Sequence, residues 1–138
     1  MKPTEVLRKL IRTCVDDERT LLHERKFVDA GRAETLTRLA REREQFVGDL
    51  ERLGEGSPHG PNGSWTELLR EAGRTIWVAA AGRNNGDAIA TCRHSRARTE
   101  ARYDDAMQGP LPDEIRSVLA EQRRRVHDEA DELSQLQF

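Results

Sequence analysis

Apolar residues recur along this chain at the three- and four-residue spacing that marks one face of an α-helix. The pattern predicts five helices, at about residues 4–30, 33–53, 64–81, 87–107 and 112–136. Gly31 and Gly54 are placed to end the first two, since glycine is common just past a helix C-terminus. No segment alternates apolar and polar residues convincingly, so the predicted fold is all-α, in a single domain over residues 1–138.

Loop lengths predict how these helices are arranged. Short turns join the first helix to the second and the fourth to the fifth, which makes each pair an antiparallel hairpin. The segment 64–81, called the linker helix below, lies between the hairpins and could extend roughly 27 Å. This order predicts a ferritin-like antiparallel four-helix bundle with an additional crossover helix between the two hairpins. A five-helix up-and-down bundle is the alternative.

Each of the four long helices carries a polar residue near the middle of its apolar face. These residues are Glu18, Arg43, Arg96 and Gln122. Together they predict a polar layer across the waist of the bundle. A Glu between two guanidinium groups would form a satisfied buried ion-pair cluster. In the alternative, Arg43 and Arg96 extend to the edge of the bundle and reach solvent.

Several short motifs resemble one bacterial four-helix-bundle family. They are residues 41–50, Gly63-Ser64 ahead of Trp77, residues 92–106, Leu111-Pro112 ahead of Gln122, and His127-Asp128. That family is a domain of unknown function usually placed in the ferritin-like superfamily, and the resemblance covers nearly the whole chain. It implies a ferritin-like bundle and no established reaction. The family tends to have a Gly-Glu pair in the fourth helix, where this chain has Ser95-Arg96.

A di-metal carboxylate site is the sharpest chemical hypothesis for such a bundle. It requires a Glu from each of two helices and Glu-x-x-His from the other two. The candidate ligands here are Glu18, Glu42, Gln45, Glu100 and His127. Gln45 stands where a His is required, Arg124 stands three residues before His127, and Arg96 replaces a carboxylate. The preferred prediction is therefore no cofactor and no catalytic residue; iron or another divalent metal is the alternative.

Charge and cysteine content limit the kinds of partner and the cellular compartment that we expect. The chain has 23 basic and 25 acidic residues, a net charge of −2, which gives no bulk attraction to nucleic acid or anionic membranes. No apolar run approaches the length of a membrane span, and no signal peptide is evident. Cys14 and Cys92 are expected to be free thiols in a reducing cytoplasm.

Trp77 is the best indication of a partner. It lies roughly 140° around the helix from the inward stripe of the linker helix, with Val78 next to it. A large aromatic away from the core often marks an interface; coverage by a neighbouring loop is the alternative. The sequence therefore favours a non-enzymatic structural or protein-interaction module, homodimeric or bound to a protein partner, and stress-related by analogy only.

Overall fold

A computed structural model describes residues 2–55 and 84–137 of the chain. These residues form four α-helices: α1 (Pro3–Glu24), α2 (Ala30–Glu55), α3 (Asn85–Gln108) and α4 (Asp113–Leu136). A short 3-10 turn, Arg25–Phe27, follows α1. There is no β-strand in these two stretches, so the prediction of an all-α helical bundle is confirmed for them. The linker helix at 64–81, with Trp77 and Val78, lies outside the described residues.

The boundary between the first two helices differs from the prediction. Gly31 was expected to end the first helix near residue 30, but it lies in the first turn of α2. The cause is Asp29, whose carboxylate accepts a hydrogen bond of 2.9 Å from the backbone N–H of Arg32. An Asp at this position starts a helix by satisfying one of its free N–H groups. The chain has already left the helical conformation at Val28, which is extended.

A second cap places the start of α3. The side chain of Asn84 accepts a hydrogen bond of 2.9 Å from the backbone N–H of Asp87. The helix therefore begins at Asn85, two residues before the predicted start. Its other end, and the start of α4 after Pro112, lie within one residue of the predicted boundaries.

Cross-helix contacts define the chain directions. Asp17 on α1 contacts Arg43 on α2, and Arg25 in the turn after α1 contacts Thr37 near the start of α2, so these helices are antiparallel. Contacts of Cys14 with Tyr103 and of Asp17 with Ser95 make α3 antiparallel to α1. Contacts of Tyr103 with Gln122 and of Asn85 with Leu136 make α4 antiparallel to α3. It follows that α2 and α3 run in the same direction, and that Glu55 and Asn85 lie at opposite ends of the bundle.

The apolar core is divided into two clusters along the bundle axis. The larger cluster fills the end where α1 begins, with buried residues Leu7, Leu10, Ile11, Cys14, Phe46, Leu50, Tyr103, Leu119 and Val126 among its members. The smaller cluster fills the other end and consists of Leu21, Leu36, Leu39, Ala40, Ile89, Cys92 and Leu133. On every helix a buried polar side chain lies between the two clusters. This division sets the position of the candidate site.

Candidate functional site

Four buried polar side chains, one from each helix, meet between the two apolar clusters. They are Asp17 on α1, Arg43 on α2, Ser95 on α3 and Glu129 on α4, and they are called the ionic layer below. Each lies three residues after one apolar residue of its helix face or four residues before the next. That spacing places all four side chains on the inward faces of their helices.

Arg43 is the centre of the ionic layer. Its Nε donates a hydrogen bond to Oδ2 of Asp17 at 2.7 Å. Its Nη1 and Nη2 donate to Oε2 and Oε1 of Glu129 at 2.8 and 3.0 Å. This two-bond arrangement is the strong geometry of an Arg–carboxylate pair. The guanidinium is only 1% exposed, so its whole charge is compensated inside the protein.

Every carboxylate oxygen of the ionic layer already accepts a hydrogen bond. The hydroxyl of Ser95 donates to Oδ1 of Asp17, which leaves Oδ2 for Arg43. Both oxygens of Glu129 accept from Arg43. The layer is thus closed: each of its carboxylate oxygens accepts a hydrogen bond from Arg43 or Ser95, as buried charges require.

The layer contains two carboxylates and one guanidinium, and burial together with these charges shifts the pKa values of Glu129 and Arg43. Burial raises the pKa of Glu129 to about 7, although attraction to Arg43 opposes that change. For Arg43, burial opposes the positive charge, but attraction to Asp17 and Glu129 outweighs it and raises the pKa of the guanidinium. Arg43 therefore keeps its charge, and the carboxyl group of Glu129 holds its proton to a higher pH than an exposed glutamate does.

A partly exposed ion pair borders the layer on the α2–α4 side. Arg125 Nη2 donates to Oε2 of Glu42 at 3.0 Å, while Oε1 of Glu42 lies 3.7 Å from Nη1 of Arg43. Both guanidinium groups also approach the ring of Phe46, at 5.4 Å for Arg43 and 5.5 Å for Arg125. These distances fit cation–π contacts. The charged cluster thus extends from the bundle centre to its surface.

A second buried polar chain crosses the bundle nearer the start of α1. The hydroxyl of Tyr103 donates to Oε1 of Gln122 at 2.6 Å, and Nε2 of Gln122 donates to the backbone carbonyl of Phe46 at 3.3 Å. The sulfur of Cys14 lies 3.3 Å from the same hydroxyl. Because the Tyr103 proton is directed to Gln122, the Cys14 thiol is the donor in that contact. This chain, too, takes one group from each helix.

The two cysteines are buried and free, as predicted. Burial raises the pKa of Cys14 to about 12, against the smaller opposing effects of Tyr103 and Arg43. A thiol with so high a pKa is almost entirely protonated at neutral pH and is a poor nucleophile. Cys14 therefore acts as a packed hydrogen-bond donor in this site.

Four residues were predicted to form one polar layer; Arg43 and Gln122 are buried but belong to two separate hydrogen-bonded groups, and Glu18 and Arg96 are only partly buried. Glu18 was expected to pair with Arg43, but Asp17 holds that position. Glu18 is half-buried in a surface groove between α1 and α2, where burial and the nearby Glu44 raise its pKa. Arg96 extends to the edge of the bundle, as in the alternative prediction for this residue. It donates hydrogen bonds to Glu100 at 2.8 Å and to the backbone carbonyl of Val126.

The five residues of the alternative metal site do not converge on one point, although two of them, Glu100 and His127, are in contact. Glu42 bonds to Arg125, and Glu100 bonds to Arg96 and lies 3.0 Å from Nδ1 of His127. Gln45 is exposed on α2, and Glu18 lies in its own groove. Within 2–55 and 84–137 there is no group of three or more His, Cys, Asp or Glu side chains that could hold a metal ion. The donor set of the ionic layer also fits a metal badly, because a guanidinium occupies its centre.

Comparisons of the chain with protein families, curated proteins and solved structures find no match. None of the four described helices combines the length and apolar content needed to cross a membrane.

Proposed function

We propose that this protein is a non-enzymatic helical bundle that serves as a structural or protein-interaction module, with the ionic layer in place of a metal site. The observation that carries the proposal is the closed bonding of Arg43 to Asp17 and Glu129. A dication at this level would lie beside a buried guanidinium, where like charges repel strongly. It would also have to displace Arg43 from carboxylate oxygens that are already in use.

The same proposal includes a ferritin-like arrangement and the family resemblance seen in the sequence. What supports it is the shared direction of α2 and α3, since residues 56–83 must connect opposite ends of the bundle. Two antiparallel hairpins joined by a long connection are the ferritin-like order, and the linker helix would supply the crossover. Bacterial origin and a cytoplasmic, stress-related role remain part of the proposal by analogy.

Metal analysis tests the absence of a metal site. We expect protein purified without chelator, and again after anaerobic incubation with ferrous iron and desalting, to carry less than one metal ion per chain. The variant Glu100→Gln/His127→Gln should show the same content, because these residues are not expected to be ligands. Two stoichiometric ions per chain, lost in that variant, would establish the carboxylate/His alternative and overturn the proposal.

The mass in solution tests the interaction role. We expect light scattering to give twice the mass of one chain, since Trp77 and Val78 are predicted to face away from the inward stripe of the linker helix. Trp77→Ser should shift the protein toward the monomer. His59→Ser, in the Gly- and Pro-rich sequence 54–63, is the control and should stay dimeric. A strictly monomeric wild-type chain contradicts the homodimer.

A further inference from the structure

We propose that the groove between α1 and α3 binds a single-chain anionic amphiphile, with the acid group held by Lys9 and Arg102 and the apolar tail in the cavity beside them. This goes beyond the interaction module proposed above and does not depend on it.

The tail site is a cavity of about 330 Å³ where the start of α1 meets the turn between α3 and α4. Its apolar lining comes from Val6, Leu10, Ala106 and Leu111. Leu10 is only 1% exposed and belongs to the larger core cluster, so the cavity floor is the bundle core. The volume is at the lower end of the range for small-molecule sites, which suits one chain of moderate length.

Cationic side chains at the mouth of this cavity determine where the acid group of the ligand would bind. Lys9 and Arg102 line it, and they also line a second cavity of about 380 Å³ farther along the groove. The second cavity adds Arg12 and Arg98, so four cations border the two cavities. The opposing carboxylates are Asp105 at the first cavity and Asp16 at the second. The groove is therefore positive on a chain whose net charge is −2.

The charges of Lys9 and Arg102 are available to a ligand. Both side chains are exposed, and neither has an ion-pair partner in the described part of the chain. Several other arginines of the bundle are paired with carboxylates, such as Arg96, Arg123 and Arg125. Guanidinium and ammonium groups bind carboxylates and phosphates through charge-assisted hydrogen bonds.

The apolar cavity and the basic part of the groove lie side by side, and this arrangement determines which class of ligand fits. The same two cations border the apolar cavity and the basic part of the groove, so one molecule with an acid group at the end of an apolar chain would use both. An acidic peptide would use the cations and leave the cavity unfilled. A small inorganic anion would do the same. A neutral apolar molecule would fill the cavity and make no use of the cations.

Isothermal titration of the full chain with decanoate, below its micelle concentration, tests the proposal. We expect saturable binding at one site, with decanol, acetate and inorganic phosphate each at least tenfold weaker. Decyl phosphate should bind like decanoate, because both offer an anionic head on the same tail. Vesicles of an anionic phospholipid should not compete; binding to vesicles but not to decanoate would overturn the proposal in favour of a membrane surface.

Two pairs of variants locate the site. Lys9→Gln/Arg102→Gln should weaken decanoate binding roughly tenfold, as expected for two exposed charge contacts. The control Lys26→Gln/Arg41→Gln removes two exposed charges elsewhere and should leave binding unchanged. Ala106→Phe should fill the cavity and abolish binding, while Ala101→Phe, exposed on the same helix, should not. Equal affinity for decanoate and decanol, or equal effects of variant and control, would refute the site.

Discussion

Replacing Arg43 by methionine is expected to lower the free energy of unfolding by about 3–5 kcal/mol at pH 8. Methionine fills much of the space of the arginine stem but leaves Asp17 and Glu129 without their common donor. Two buried carboxylates then face each other with no cation between them. The loss is the penalty of uncompensated buried charge, which exceeds the net value of the ion pair itself.

Urea unfolding followed by circular dichroism measures this loss. Arg41→Met is the control: Arg41 is exposed on the same helix, and its substitution should change stability by less than about 0.5 kcal/mol. Arg43→Met combined with Asp17→Leu and Glu129→Leu should recover most of the stability, since an apolar layer needs no charge compensation. If Arg43→Met proves as mild as the control, the ionic layer is not closed to solvent. The triple variant keeps the test informative if the single variant fails to fold.

The helices and the existence of a polar layer could be predicted because they follow from spacing alone. Apolar periodicity located four helices, with the largest boundary difference at the end of the first, which was predicted near residue 30 and lies at Glu24. Arg43 was found because it is a charged residue at an inward position of a regular apolar face. Gln122, an uncharged polar residue at a similar inward position, was found in the same way, although it belongs to the second polar chain and not to the ionic layer.

The members of the layer on α1 and α3 could not be distinguished from spacing. Asp17 lies three residues after Cys14 and four before Leu21, whereas Glu18 lies four after and three before. Ser95 and Arg96 have the same relation to Cys92 and Thr99. Both spacings occur on an inward face, and the rotation of the helix toward its neighbours decides between them. That rotation is a tertiary property, so the prediction selected the adjacent residue both times.

Glu129 was missed for a different reason. It lies in an acidic stretch with Asp128, Asp131 and Glu132, which suggests a solvated helix face. Its spacing was nevertheless informative, because it lies three residues after Val126 and four before Leu133, both buried. The position of Glu129 within the apolar stripe indicated burial, but the neighbouring acidic residues obscured this indication. Asp17 and Glu129, the two carboxylates that bond Arg43, were therefore both missed, the first because of helix rotation and the second because of its acidic neighbours.

The ionic layer has more carboxylates than guanidinium groups, and this excess determines how its stability depends on pH. One guanidinium is shared by Asp17 and Glu129, and Glu42 adds a third carboxylate at 3.7 Å. Above neutral pH the buried cluster carries excess negative charge in a low-dielectric environment. Protonation of Glu129 removes that excess and leaves Arg43 and Asp17 as a balanced pair. The layer should therefore be most stable when Glu129 holds a proton.

Stability is accordingly expected to fall between pH 5 and pH 8, and Glu129→Gln should remove most of that fall. The pKa of Glu129 is about 7 in the folded protein, above its usual value of 4.5, so the folded chain holds a proton that the unfolded chain has released. The resulting stability is fully present below about pH 4.5 and is lost as the pH rises through 7. By linkage this loss is on the order of 3 kcal/mol.

Urea unfolding of the wild type and Glu129→Gln at several pH values isolates the effect, because the other titrating groups are common to both proteins. Asp131→Asn is the control: it is exposed on the same helix and should keep the wild-type slope. Carbon-13 chemical shifts of the Glu129 carboxyl should report a midpoint near 7 in the folded protein. A midpoint near 4.5, or parallel stability curves for the wild type and Glu129→Gln, would mean that Arg43 compensates both carboxylates fully and that the layer holds no extra proton.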